Sequence, residues 1–166
     1  MNNLAMMARF NHWVNGHIYH SVAELSDAEY RRDRKVFFGS IHRTLNHLLV
    51  VDRLWVGRIR GLDHGIKSLT DILFDDFESL RAARRREDQG LIELVDSIDD
   101  DRIVSPVVYT RMLGDGEQQT RLDHILITLY NHQTHHRGQV HAMLTQAGVT
   151  PTDIDVIYYL ETAGLS

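Results

Sequence analysis

The chain has no cysteine, and that one absence removes disulfides, thiolate-ligated zinc, iron–sulfur clusters and thiol nucleophiles together. Proline is scarce, with 2 residues in 166, so little interrupts long helices. No apolar run approaches the roughly 18 residues needed to cross a bilayer. The opening MNNLAMMARF also lacks the basic segment and continuous apolar stretch of a secretory leader, so a cytoplasmic protein without membrane attachment is expected. Excess positive charge is missing too. Lys+Arg 18 against Asp+Glu 23 leaves −5, which argues against a broad surface for nucleic acid or anionic lipid. With 43% apolar and 25% charged residues the chain is not disordered, and its length suits one domain spanning residues 1–166. What is abundant is histidine, at 11 residues.

Apolar periodicity predicts four long helices. Leu4, Met7, Ala8, Asn11, Val14, Ile18, Val22 and Leu25 recur at helical spacing and predict a helix over 3–25, with Asn11 inside its apolar stripe. Ser26 to Glu29 reads as a capping box opening a short turn. A second long helix begins near Ser40 and stops at Gly61, with residues 61–74 as a connector. Asp75 and Glu78 mark the start of a third, which continues through Gly90 to Asp99. Then β-branched residues flank the Gly-Asp-Gly of 114–116, which predicts a short hairpin or ordered loop in which Pro106 excludes a central strand. Thr120 and Asp123 are positioned to cap a fourth helix running to Gly148, and DIDVIYYLE predicts a short C-terminal helix. The expected architecture is all-α, an up-down four-helix bundle.

The fourth helix carries TLYNHQTHHRGQVH. At about 100° per residue its core stripe is Leu122, Ile125, Leu126, Leu129, Gln133, Val140, Met143 and Leu144. His136 falls within that stripe and His132 about 40° from it, whereas His124, His135 and His141 point away. Histidines at i and i+4 on one inward face can converge on a single metal ion. A third ligand has to come from another helix, and the second long helix offers His42 and His47. His47 lies on an apolar strip with Val50, Val51 and Leu54, and geometry favours it only slightly over His42.

Several chemistries are excluded by the residues themselves. HQTHH has the spacing of the zinc-protease motif, but Gln133 stands where the general-base glutamate belongs, and an amide cannot take a proton from bound water. There are no Glu-x-x-His pairs for a di-iron carboxylate site and no G-x-S-x-G nucleophile elbow. A mononuclear, histidine-rich site remains. Asp52, on the main stripe of the second long helix, is read as the partner of an arginine in the interior rather than as a base. Gln139 falls near the His132 side and could orient water or substrate, and inward Asn11 must find a hydrogen-bond partner. Gly138 is read as a close-packing position. The arginine-rich stretches 31–35 and 81–88, including Arg81, Arg84 and Arg85 on one helix face, are flanked by Glu78, Glu87 and Asp88 and read as solvated faces.

These elements resemble the DinB family. Phe10-Asn11-His12-Trp13 is similar to its aromatic-Asn-x-Trp element, and His47 followed by VVDRLWVGRIRG to its histidine-bearing helix. NHQTHHRGQ is similar to its closing His-x-x-x-His-Arg-Gly-Gln signature. The resemblance implies four long helices and a divalent metal, zinc or nickel foremost and iron or copper next, held by His47, His132 and His136. It implies a homodimer and a metal-dependent hydrolase or thiol-dependent transferase acting on a small molecule, with a low-molecular-weight thiol as a further cofactor. The alternative is a non-catalytic metal-binding stress or scaffold protein. Nothing in the resemblance calls for nucleic-acid binding.

Overall fold

The computed structural model describes residues 3–112 and 116–165. In chain order its elements are α1 (Asn3–Val22), α2 (Asp27–Arg31), α3 (Ile41–Arg60), α4 (Phe77–Asp96), α5 (Asp100–Val104), β1 (Pro106–Thr110), β2 (Glu117–Arg121), α6 (Leu122–Gln146) and α7 (Val156–Thr162). The fold is mostly helical, with one small two-stranded sheet. No helix among the described residues is long and apolar enough to cross a membrane.

Local chemistry accounts for most boundaries. The α1 ladder ends at Val22, three residues short of the expected end. Ala23, Glu24 and Leu25 continue as a tighter turn, donating to His20, Ser21 and Val22, and Leu25 still packs on the core. Ser26 caps α2 by accepting from the Glu29 N–H, and Ser40 caps α3 by accepting from Arg43. Gly61 ends α3 in the left-handed conformation (φ 65°) that glycine adopts without strain. The α4 cap is Asp76 rather than Asp75. Asp76 accepts from the Ser79 N–H, while Asp75 pairs with Arg31 at 2.9 Å.

The expected Thr120 cap does not form. The Thr120 backbone is committed to the hairpin opposite Val107, so α6 starts at Leu122, whose N–H donates to the Ser105 carbonyl. The hairpin pairs Pro106 with Arg121 through Thr110 with Glu117, and Pro106 takes the terminal ladder position where a missing N–H is tolerated. Of the expected Gly-Asp-Gly turn, Gly114 and Asp115 lie outside the described residues.

Helix α1 packs on α4 and α6, and α3 packs on the same two. Two apolar clusters fill the interior. One joins Val14, Ile18, Leu45, Leu49, Leu80, Ala83, Met143 and Leu144; the other joins Ala8, Val56, Ile59, Leu91, Val95, Leu122 and Ile125. Both α3 and α4 run from the first cluster to the second, and α1 and α6 run the opposite way. The strict up-down alternation expected from the sequence is therefore corrected: α3 and α4 point in the same direction. Residues 61–76 make this possible by returning alongside α3. Gly57 lies under His64, and Asn46 donates to the Phe74 carbonyl and accepts from the Phe74 N–H.

Between the two apolar clusters lies a polar layer. Arg84 bridges Asp52 at 2.6 Å and Asp88 at 2.8 Å. Asn15 donates to Asp88, Gln133 to Asp52, and Arg137 to Asn11, so every long helix contributes. Asp52 behaves as expected, and Asn11 finds its partner. The reading of 81–88 as a solvated face is corrected at Arg84, which is 2% exposed. A helix in contact with two neighbours turns more than one face inward, and Asp52 and Asp88 supply the charges that make burial of a guanidinium tolerable.

Two glycines separate in their expected behaviour. A Cβ on Gly57 would sit 2.7 Å from the His64 Cβ, so Gly57→Ala must push the returning segment off α3. We expect it to destabilise by about 1–3 kcal/mol despite alanine's better helix propensity. Gly138 has open space around it, which corrects the close-packing expectation. There Gly138→Ala is expected to stabilise by about 0.5–1 kcal/mol. Urea titrations of both variants check the opposite signs.

Candidate metal site

Helices α3 and α6 bring His47, His132 and His136 together so that one ring nitrogen from each lies within 4.8 Å of the others. Ring centroids are 5.0 Å apart for His47–His132, 4.8 Å for His47–His136 and 4.5 Å for His132–His136. A tetrahedral ion with metal–nitrogen bonds of about 2.0–2.1 Å needs its ligands roughly 3.3 Å apart. Three neutral imidazoles at these separations fit one divalent ion after small rotations.

The tautomers are set by what the other ring nitrogens touch. The His47 Nδ1–H donates to the Leu69 carbonyl at 2.7 Å, leaving Nε2 as a free lone pair. Gln139 donates its amide to His135, so its Oε1 faces His136 and accepts from Nδ1–H at 2.8 Å. This again leaves Nε2 free. The His47 and His132 Nε2 atoms are 3.0 Å apart, a separation at which they share one proton, carried by His132. A metal ion would take the place of that proton. His132 Nδ1 has no hydrogen-bond partner among the described residues.

Burial keeps the cluster uncharged. The His132 pKa is pushed down to about 3, first by desolvation and then by the neighbouring imidazoles. Burial also lowers His47 and His136, against opposing pulls from the Leu69 carbonyl and from Gln139. All three are thus favoured as neutral imidazoles, the charge state that a metal requires. Phe38 stacks on His47 at 4.0 Å between centroids and meets His136 edge-on at 5.4 Å, covering one side of the cluster.

The remaining candidates separate cleanly. His42 is not in the cluster; it lies against the Phe74 carbonyl and edge-on to Tyr30. His124 and His135 are exposed, as expected. Gln133 points to Asp52 in the polar layer, away from the histidines. Gln139 touches a cluster residue directly, on His136 rather than on His132. Sequence reasoning missed the Leu69 carbonyl and Phe38. A backbone acceptor on a connector has no side-chain signature, and Phe38 precedes the helix whose periodicity drew attention.

A cavity of about 360 Å³ opens against the cluster, with His47 and His132 in its lining. The three histidines are therefore not sealed in on every side.

The curated protein DinB of Bacillus subtilis (strain 168) is 26% identical over 166 aligned residues, covering 91% of this chain and 90% of that protein. The sequence profile of the DinB family matches residues 1–164, nearly the full length, and the chain belongs to the DinB family.

Proposed function

We propose that this protein is a metal-dependent enzyme in which His47, His132 and His136 hold one divalent ion, and that it activates water or a low-molecular-weight thiol against a small electrophilic substrate. Four long helices around a shared interior are read here as a single four-helix-bundle domain built to hold that site. The observation that carries the functional reading is the combination of fixed tautomers with an open side: His47 and His136 have their Nδ1 atoms tied to acceptors, and the cluster borders a cavity.

When bound, a divalent ion held by three neutral ligands supplies a net +2 charge that lowers the pKa of bound water or ionises a bound thiol. The chain's own contribution is positional. The Leu69 carbonyl and Gln139 hold two imidazoles in their ligating tautomer, and Phe38 excludes water from one side. Among the described residues no carboxylate touches the three histidines, so proton removal falls to the nucleophile's own ionisation rather than to an Asp or Glu base.

Cobalt(II) reconstitution tests this reading. The expected result is a visible spectrum of tetrahedral type that changes when 2-mercaptoethanol is added. Zinc-loaded protein should also speed the reaction of that thiol with an alkyl halide at least tenfold over His47→Ala. A cobalt spectrum indifferent to thiol and to azide would mean a closed site, and the non-catalytic metal-binding reading would replace this one.

A further inference from the structure

The cavity beside the histidines has a charge asymmetry. Its α3 wall is His47, Val51, Leu54, Trp55 and Arg58, at spacings of 4, 7, 8 and 11 from the first, which is one face of a helix. At 1.5 Å per residue this wall runs roughly 16 Å from the level of His47 to that of Arg58. Leu69 and Met112 add apolar surface, and Arg111 joins Arg58 as a second cation in the lining. No acidic residue among the described residues lines it.

Arg58 is held in place. Its guanidinium carbon lies 4.7 Å from the ring centroids of both Trp55 and Tyr109, and Nη2 donates to the Thr110 carbonyl at 2.6 Å. Two rings and a carbonyl fix the group while using one of its five N–H donors. A guanidinium immobilised in this way loses little further entropy when it meets a planar anion.

Building on the metal-site reading above, we propose that this cavity binds an elongated, largely apolar organic carboxylate, its anionic end on Arg58 and Arg111 and its reacting end at His47 and His132. The apolar walls admit a hydrocarbon or aromatic body, and the arginines set its direction. A neutral substrate of the same shape gains the apolar contacts but leaves the arginines without a partner, and a cationic one is repelled at that end.

Calorimetric titration with 4-phenylbutyrate, 4-phenylbutanamide and 4-phenylbutylamine, on zinc-loaded and metal-free protein, tests the assignment. The carboxylate should bind both forms at least about tenfold more tightly than the amide, and the amine should not bind. That preference should fall to within about threefold in Arg58→Gln, with Arg111→Gln as a second variant at an exposed position should the first lose its helical circular dichroism. Equal affinity for acid and amide overturns the proposal. So does a preference that appears only with zinc and survives in both variants, because the carboxylate is then a metal ligand. The two readings fail separately. Protein that retains no zinc yet keeps an arginine-dependent preference sinks the metal site alone. Zinc-loaded protein without that preference sinks the carboxylate site alone.

Discussion

His136→Ala should bind zinc at least about 100-fold more weakly than the parent protein in competition with a chromophoric chelator. Removing it leaves two imidazoles, and no described carboxylate is at hand to replace the third. The informative companion is Gln139→Ala, which touches no ion. Gln139 accepts from the His136 Nδ1–H, so losing it frees the ring to rotate and to exchange tautomers. A loss of about 10–100-fold is expected, in the range found for outer partners of ligating histidines. His124→Ala, an exposed position on the same helix, should leave affinity unchanged. Equal zinc content in His136→Ala and the parent would remove the basis for a three-histidine site, whatever Gln139→Ala does.

Arg84→Met is expected to lower unfolding stability by about 3–5 kcal/mol, the largest effect of any single substitution considered. The methionine fills much of the same space but deprives Asp52 and Asp88, at 1% and 2% exposure, of the guanidinium they share. The loss should depend on pH in a defined direction. Burial pushes the Asp52 carboxyl up even with Arg84 beside it, and it is raised further once the guanidinium is gone. A carboxyl whose folded pKa is raised holds its proton more tightly folded than unfolded. Its contribution to stability then falls as pH rises through the interval between the two values. The gap between Arg84→Met and the parent should thus be widest above the variant's raised value and narrow as pH falls towards about 6, the parent's own Asp52 value, below which both folded forms hold the proton. Urea denaturation at pH 7.5 and 5 measures both. Asp52→Asn added to Arg84→Met should recover part of the neutral-pH loss, because an amide can be buried uncharged and still accept from Gln133. A gap that stays constant with pH would mean that packing, not charge, dominates the site.

How far the sequence could be read depended on whether a signal lived in side-chain periodicity. The four long helices were legible because their apolar stripes repeat over many turns, and His132 and His136 because two residues four apart on one face differ visibly from His135 between them. His47 came less directly, since the helical wheel alone barely separates it from His42, and the family resemblance supplied the choice. The direction of α4 was not legible: a connector of some 15 residues can bridge antiparallel helices or return along one of them, and composition does not distinguish these. Arg84 was misread because its neighbours Arg85 and Glu87 carry the charge pattern of a solvated face. Only the contact with Asp52, 32 positions earlier in the chain, shows it to be interior. The Leu69 carbonyl was beyond reach for the same reason as the helix direction, because it arrives on the returning segment.

The polar layer has a further bearing on the histidines. On α6, Gln133 and Arg137 each follow a histidine by one residue, and on α3 Asp52 lies little more than a turn beyond His47. One turn of slippage between these helices would displace His47 by about 5.4 Å, well over a metal–nitrogen bond length. The same slip would tear Asp52 from Gln133. Chains aligned wrongly are thus penalised within the interior before any ion is present. The register in which the three imidazoles meet is thus set in part by an Asp52–Gln133 contact that touches none of them.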